Sequence, residues 1–194
     1  MGRLTGFVVS GLEDVRLERL SIPVLKKDNA MNAIDVLRSS LNSSRMMLEM
    51  ILSDLSDADL MVRPVPHANH FAWQLGHLIA AERNILLEQL PDAKLPELPA
   101  GFAEAHNKEK ATSDDAAGFR SKEEYLSLLG TIREATIAEL GKLKEADLDR
   151  QTQGNLAQFF PTLGTIFSML CDHIMMHLGQ ASVVRRKLGK PVMF

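Results

Sequence analysis

The sequence predicts an all-α protein, a four-helix bundle with a long crossover connection between its second and third helices. Three observations predict it. Apolar residues recur at helical spacing in four long segments, the last three of these open on capping signals, and residues 31–194 contain no convincing strand alternation. Four long helices with one long middle connection favour a bundle over a solenoid.

The first helical pattern begins at Met31, in "MNAIDVLRSSLNSSRMMLEMILSDL", where Ile34, Leu37, Leu41, Leu48, Ile51, Leu52 and Leu55 repeat at helical spacing. The second segment, "HFAWQLGHLIAAERNILLEQL", is expected to be capped by Asn69 and runs until Pro91. Residues 91–121 are rich in Pro, Ala, Gly and charge and lack sustained periodicity, so they read as a long connection with room for one short helical turn. Ser121 and Glu124 form the capping box of the third helix, "KEEYLSLLGTIREATIAELGKL". Thr162, after Pro161, opens the fourth, "LGTIFSMLCDHIMMHLGQASVVRRKL". Arg185, Arg186 and Lys187 suit the negative end of its dipole, and Gly189 is its expected stop.

The two halves echo each other. "ILSDLSDADLMVRP" matches "ELGKLKEADLDRQT" at Leu52 and Leu140, Leu55 and Leu143, Ala58 and Ala146, Asp59 and Asp147, and Leu60 and Leu148. Each segment leads into a capped helix bearing histidine, as expected of a helix pair repeated once. Residues 1–30 differ from the rest, with three glycines, β-branched residues and a proline around one short amphipathic piece. They are read as an N-terminal extension of open status, and residues 31–194 as the helical domain. A natural chain starting at Met31 fits this pattern equally well.

Composition excludes several classes. An apolar fraction of 45% and a charged fraction of 24% are those of an ordinary globular domain. With a net charge of −3 and dispersed basic residues there is no basic face for a phosphate backbone, so nucleic acid is not an expected partner. No run of about 18 apolar residues suggests a membrane span, and no signal-peptide pattern opens the chain. A lone cysteine, Cys171, excludes an internal disulfide and fits a reducing compartment. The expectation is a cytoplasmic protein acting on a small-molecule substrate.

The chemistry concentrates in "CDHIMMHLGQ". His173 and His177 are separated by about 40° around a helix axis, so both point the same way and can share one divalent ion. The spacing is that of zincin proteases, but Ile174 stands where the zincin glutamate acts as base, so this is not a zincin. The alternative is a helix with two hydrogen-bonded core histidines. His77, in "WQLGHLIAAE" on the second helix, would complete a facial set with open positions for water or substrate. Trp73, one turn earlier on the same face, either packs in the core or walls the pocket. Gln180, two turns after His173, is placed for a bond to a ligand or for a bond between helices. Glu82, about 140° from His77, and Asp172, about 100° from His173, point elsewhere. Cys171, Met169, Met175 and Met176 read as core or interface filling, and His67 and His106 as solvated connection residues. His70 lies two turns before His77, near a pocket mouth.

"FAWQLGHLIAAE" and "DHIMMHLGQASVVRRKLGKP" resemble, in order and spacing, the signatures of the DinB-like superfamily, which includes proteins called YfiT-like. The resemblance spans residues 31–194. It implies a bundle with an up-down-down-up course, commonly a homodimer, and a three-histidine site for zinc, nickel or a similar divalent ion. Position by position, that site falls on His77, His173 and His177. Branches of the family act as transferases of low-molecular-weight thiols, which implies a metal-dependent thiol S-transferase with Gln180 and Trp73 positioning the thiol. The alternatives are a metal-dependent hydrolase and a non-enzymatic metal-binding or stress-response bundle.

Overall fold

Each long helix begins where a side chain satisfies the free amides of its first turn. In the computed structural model, which describes residues 30–191 and 193, helix α1 spans Ala33–Leu52. Its cap is Asn32, whose side chain accepts from Asp35 N at 2.9 Å while Asp35 reaches back to the Asn32 amide. The helix therefore starts two residues after the beginning of the apolar pattern. Its buried stripe, Ile34, Leu41, Leu48, Ile51 and Leu52, follows the 3.6-residue period. The expected extension over residues 1–30 lies outside the described residues, save Ala30.

A short helix α2, Asp57–Leu60, precedes α3, Phe71–Gln89. The cap of α3 is His70, not Asn69: the His70 Nδ1 accepts from Trp73 N at 3.1 Å. Asn69 is otherwise engaged, its carbonyl accepting from Gln74 Nε2 at 2.7 Å. The connection after α3 holds more local structure than its composition suggests. It forms helix α4, Phe102–Ala105, and 3₁₀ turns at Lys108–Lys110 and Ala116–Gly118. Helix α5, Lys122–Leu140, opens on the expected Ser121–Glu124 box, and α6, Leu163–Lys187, on a box of Thr162 and Thr165. At the end of α6, Gly189 adopts φ 68°, and the amides of Gly189 and Lys190 turn back to Arg186 and Arg185 carbonyls.

The four long helices α1, α3, α5 and α6 form the bundle. Arg185 near the end of α6 donates to Ile51 O at the end of α1, at 2.8 Å, while Ile34 and Leu163 at their starts share one apolar cluster. Lys122 at the start of α5 reaches Leu52 O at the end of α1. Phe71, Leu75, Ile79, Tyr125 and Leu129 fill the space between the first halves of α3 and α5, joined by Ile174 and Leu178 of α6. Midway, the fully buried Arg133 of α5 meets Glu82 of α3 through paired bonds of 2.9 and 2.6 Å, and donates to Leu41 O and Ser44 Oγ of α1. One polar knot thus ties three helices together in the middle of the bundle.

The internal echo has a structural meaning. Asp59 accepts from Ser56 N in α2, and Asp147 accepts from Lys144 N in the 3₁₀ turn Glu145–Asp149, both at 2.8 Å. The matched leucines, Leu60 and Leu148, are both buried. In each half the same turn reverses the chain before a histidine-bearing helix. Among the described residues the only β-type pairing is an isolated bridge between Gln151 and Thr162, and no helix is long and apolar enough to cross a membrane.

Candidate metal centre

Helix periodicity puts His173 and His177 on one face of α6, and packing brings His77 of α3 against that face. One ring nitrogen from each of the three lies within 4.8 Å of the others. The Nε2 atoms of His173 and His177 are 3.2 Å apart. The His77 ring stands at 85° to that of His173 and 55° to that of His177, with centroids 5.1 and 5.6 Å away. Three imidazoles therefore converge on one small volume from different planes.

Burial keeps them neutral. Burial chiefly, then the His77 charge, pushes His173 down to about 4, and burial with both neighbouring imidazoles pushes His177 down to about 3. His77 is lowered by burial and then by the nearby Lys108. At neutral pH all three offer lone pairs, the form in which imidazole binds a metal. The donor set is histidine alone. These residues fit a divalent first-row ion, which imidazole ligands suit.

Two further side chains touch the trio. Trp73 stacks on His77 with ring centroids 4.9 Å apart and planes 6° from parallel, and its Nε1 donates to Asn107 O at 2.9 Å. Trp73 thus borders the trio and anchors the crossover beside it. His177 Nδ1 donates to Gln74 Oε1 at 2.7 Å. Gln74 was not legible as a site residue, since its partner is 103 residues away. Its one signal is an amide inside the apolar run "FAWQLGHLIAA", where a buried polar group must find partners. Gln180, by contrast, is half-buried and makes no hydrogen bond to the trio among the described residues.

Several neighbours have structural work instead. His70, fully buried, caps α3 and donates through Nε2 to Ser113 O at 2.9 Å. His106 is buried rather than solvated: Nδ1 donates to Phe102 O and Nε2 accepts from Tyr125 Oη, both at 2.7 Å. Its ring occupies the space left by Gly76, where an added Cβ would lie 2.0 Å away. His67 is exposed with φ 67°. Cys171 is buried and donates to Phe167 O, with burial pushing its thiol up to about 11, so it is no nucleophile. Glu82 pairs with Arg133, Asp172 is exposed, and Arg185 is buried in bonds to Ile51 O and Pro191 O. Met169 packs in the core, whereas Met175 and Met176 face solvent. A surface cleft of about 790 Å³ lies elsewhere, lined by Gln89, Lys94, Glu139, Lys142 and Arg150 among others. It lies where α3 and α5 end, away from the histidines; the convergent neutral donors single out the trio.

Three imidazoles converging from two helices of a four-helix bundle make a candidate metal centre. The family model described as the DinB superfamily matches residues 40–181, and the chain belongs to that superfamily. Among solved structures it is similar to YfiT from Bacillus subtilis, described as a probable metal-dependent hydrolase with an unusual four-helix bundle topology. The two share 15% identity over 86% of this chain and 94% of that one, with a TM-score of 0.58. A conserved protein from Enterococcus faecalis is similar at 18% identity over 83% of this chain and 100% of that one, with a TM-score of 0.57. No curated protein matches the chain.

Proposed function

We propose that this protein is a metal-dependent thiol S-transferase, with His77, His173 and His177 holding a zinc or nickel ion and a small electrophile as the second substrate. The observation that carries this reading is a donor set of three neutral imidazoles with no carboxylate in it. When bound, such an ion supplies Lewis acidity that makes a thiol or a water nucleophilic near neutral pH. Deprotonating water in a hydrolysis ordinarily calls for a resident general base within hydrogen-bond reach. A thiol, with an ordinary pKa of about 8.5, needs far less help. The residues of this chain would bind and orient: the imidazoles set the donor geometry, and Trp73 gives a flat apolar wall beside His77.

The experiment is thiol consumption by zinc- or nickel-loaded protein, with low-molecular-weight thiols and a chromogenic electrophile. Consumption that depends on metal and is lost in His177→Ala supports the proposal. The likeness to YfiT favours a second reading, a metal-dependent hydrolase. Turnover of ester or amide substrates without added thiol would select it and overturn the first.

A further inference from the structure

Gln74 is completely buried, and both ends of its amide are used. Its Nε2 donates to Asn69 O at 2.7 Å. A backbone carbonyl only accepts, so the –NH₂ group must face Asn69 and the amide oxygen must face His177. That oxygen also only accepts. The proton on the 2.7 Å contact between Gln74 Oε1 and His177 therefore resides on Nδ1 of the imidazole. In a neutral imidazole the other nitrogen then carries the lone pair, and Nε2 of His177 is the nitrogen turned toward His173, at 3.2 Å.

We infer that Gln74 is the positioning residue of the centre: it locks His177 in the Nδ1–H tautomer and aims its Nε2 lone pair at the point shared with His77 and His173. The inference rests on reading the trio as a metal centre. An unconstrained neutral imidazole exchanges its proton between its two nitrogens and spends part of its time with Nε2 blocked. The backbone just before α3 removes that freedom, because the Asn69 carbonyl orients the amide that orients the ring. The device is built into the start of α3, where Asn69 is freed for it because His70 takes over the cap. The orienting group is also uncharged. A carboxylate in its place would lend negative charge to the imidazole, whereas the amide fixes the ring and leaves the charge of a bound ion undiminished.

The test has two readouts. Nitrogen-15 NMR of the histidine rings in chelator-treated protein, with His177 assigned by His177→Ala, should show an Nδ1–H tautomer in the wild type. In Gln74→Leu that signal should move to a tautomer mixture. Zinc affinity measured by chelator competition should fall about 10- to 100-fold in Gln74→Leu, the range for loss of a group that orients a metal-binding histidine. A wild type whose His177 carries its proton on Nε2 would overturn the inference even if Gln74→Leu did not fold. Equal zinc affinity in wild type and Gln74→Leu would also overturn it, while leaving the metal centre intact. A wild type that takes up neither zinc nor nickel would overturn the centre itself, and the inference with it.

Discussion

The indole of Trp73 lies face to face with the imidazole of His77, centroids 4.9 Å apart and planes 6° from parallel. Trp73 is the only tryptophan in the chain, so its emission reports on this one ring. A cation held by His77 places positive charge against the indole face. Nickel added to chelator-treated protein should therefore quench the emission and saturate near one ion per chain. His77→Ala should abolish most of the quench. Emission that stays constant through stoichiometric nickel would separate Trp73 from the site.

Acid should weaken the fold before any carboxylate is protonated. Burial lowers the pKa of His70, His77 and His106 from the usual 6.5, of His173 to about 4 and of His177 to about 3. As pH drops below 6.5 the unfolded chain takes up protons that the folded chain refuses. Stability is thus complete above 6.5 and is lost downward toward pH 4 and 3, by at most about 1.4 kcal/mol per pH unit for each histidine. Asp54 and Asp59, whose usual pKa is 3.8, are lowered further, so their contribution is lost only as pH falls through about 3.8, at the acid end of that window. Urea midpoints with chelator present should fall between pH 7.5 and 5.5. An unchanged midpoint would mean that these rings titrate normally in the fold.

Removing one partner of the Glu82–Arg133 pair should be among the costlier single substitutions. Glu82→Ala leaves a fully buried guanidinium with only Leu41 O and Ser44 Oγ to face. The expected loss is about 3–5 kcal/mol by urea denaturation. Replacing both partners with leucine should cost much less than the sum of the single losses, because no buried charge is then left alone. Additive losses would show that the two groups are not coupled.

Gly76→Ala tests the seat of the crossover. The new methyl would fall 2.0 Å from the His106 ring, so His106 must leave its bonds to Phe102 and Tyr125. A loss of about 1–3 kcal/mol is expected from overpacking, with part of it recovered in Gly76→Ala/His106→Ala. If the single variant melts like the wild type, the ring moves freely and the seat is loose.

The bundle was readable because helix signals are local. The Ser121–Glu124 box, the Thr162 cap and the Gly189 stop each lie within a few residues of what they terminate. The pair His173 and His177 was readable for the same reason, and His77 by its place on a second apolar helix. What sequence withheld was long-range or shared. His70, not Asn69, caps α3, and the Asn69 carbonyl accepts from Gln74 instead. His106 looked like a loop histidine, and only the packing of the crossover against Gly76 and Tyr125 buries it. The crossover's three short turns lack a repeating apolar face, so no periodicity marked them.

The set of donors is divided between the halves of the chain. The first helix pair brings His77, and the second brings His173 and His177. A pair one turn apart on a single helix would grip an ion without regard to the rest of the molecule. This arrangement instead makes any bound ion a rivet through both halves, so occupancy and integrity of the fold rise and fall together. Cleavage within residues 91–121 would leave two fragments, each with an incomplete grip, and a bound ion would add to the shared apolar packing that draws them back together.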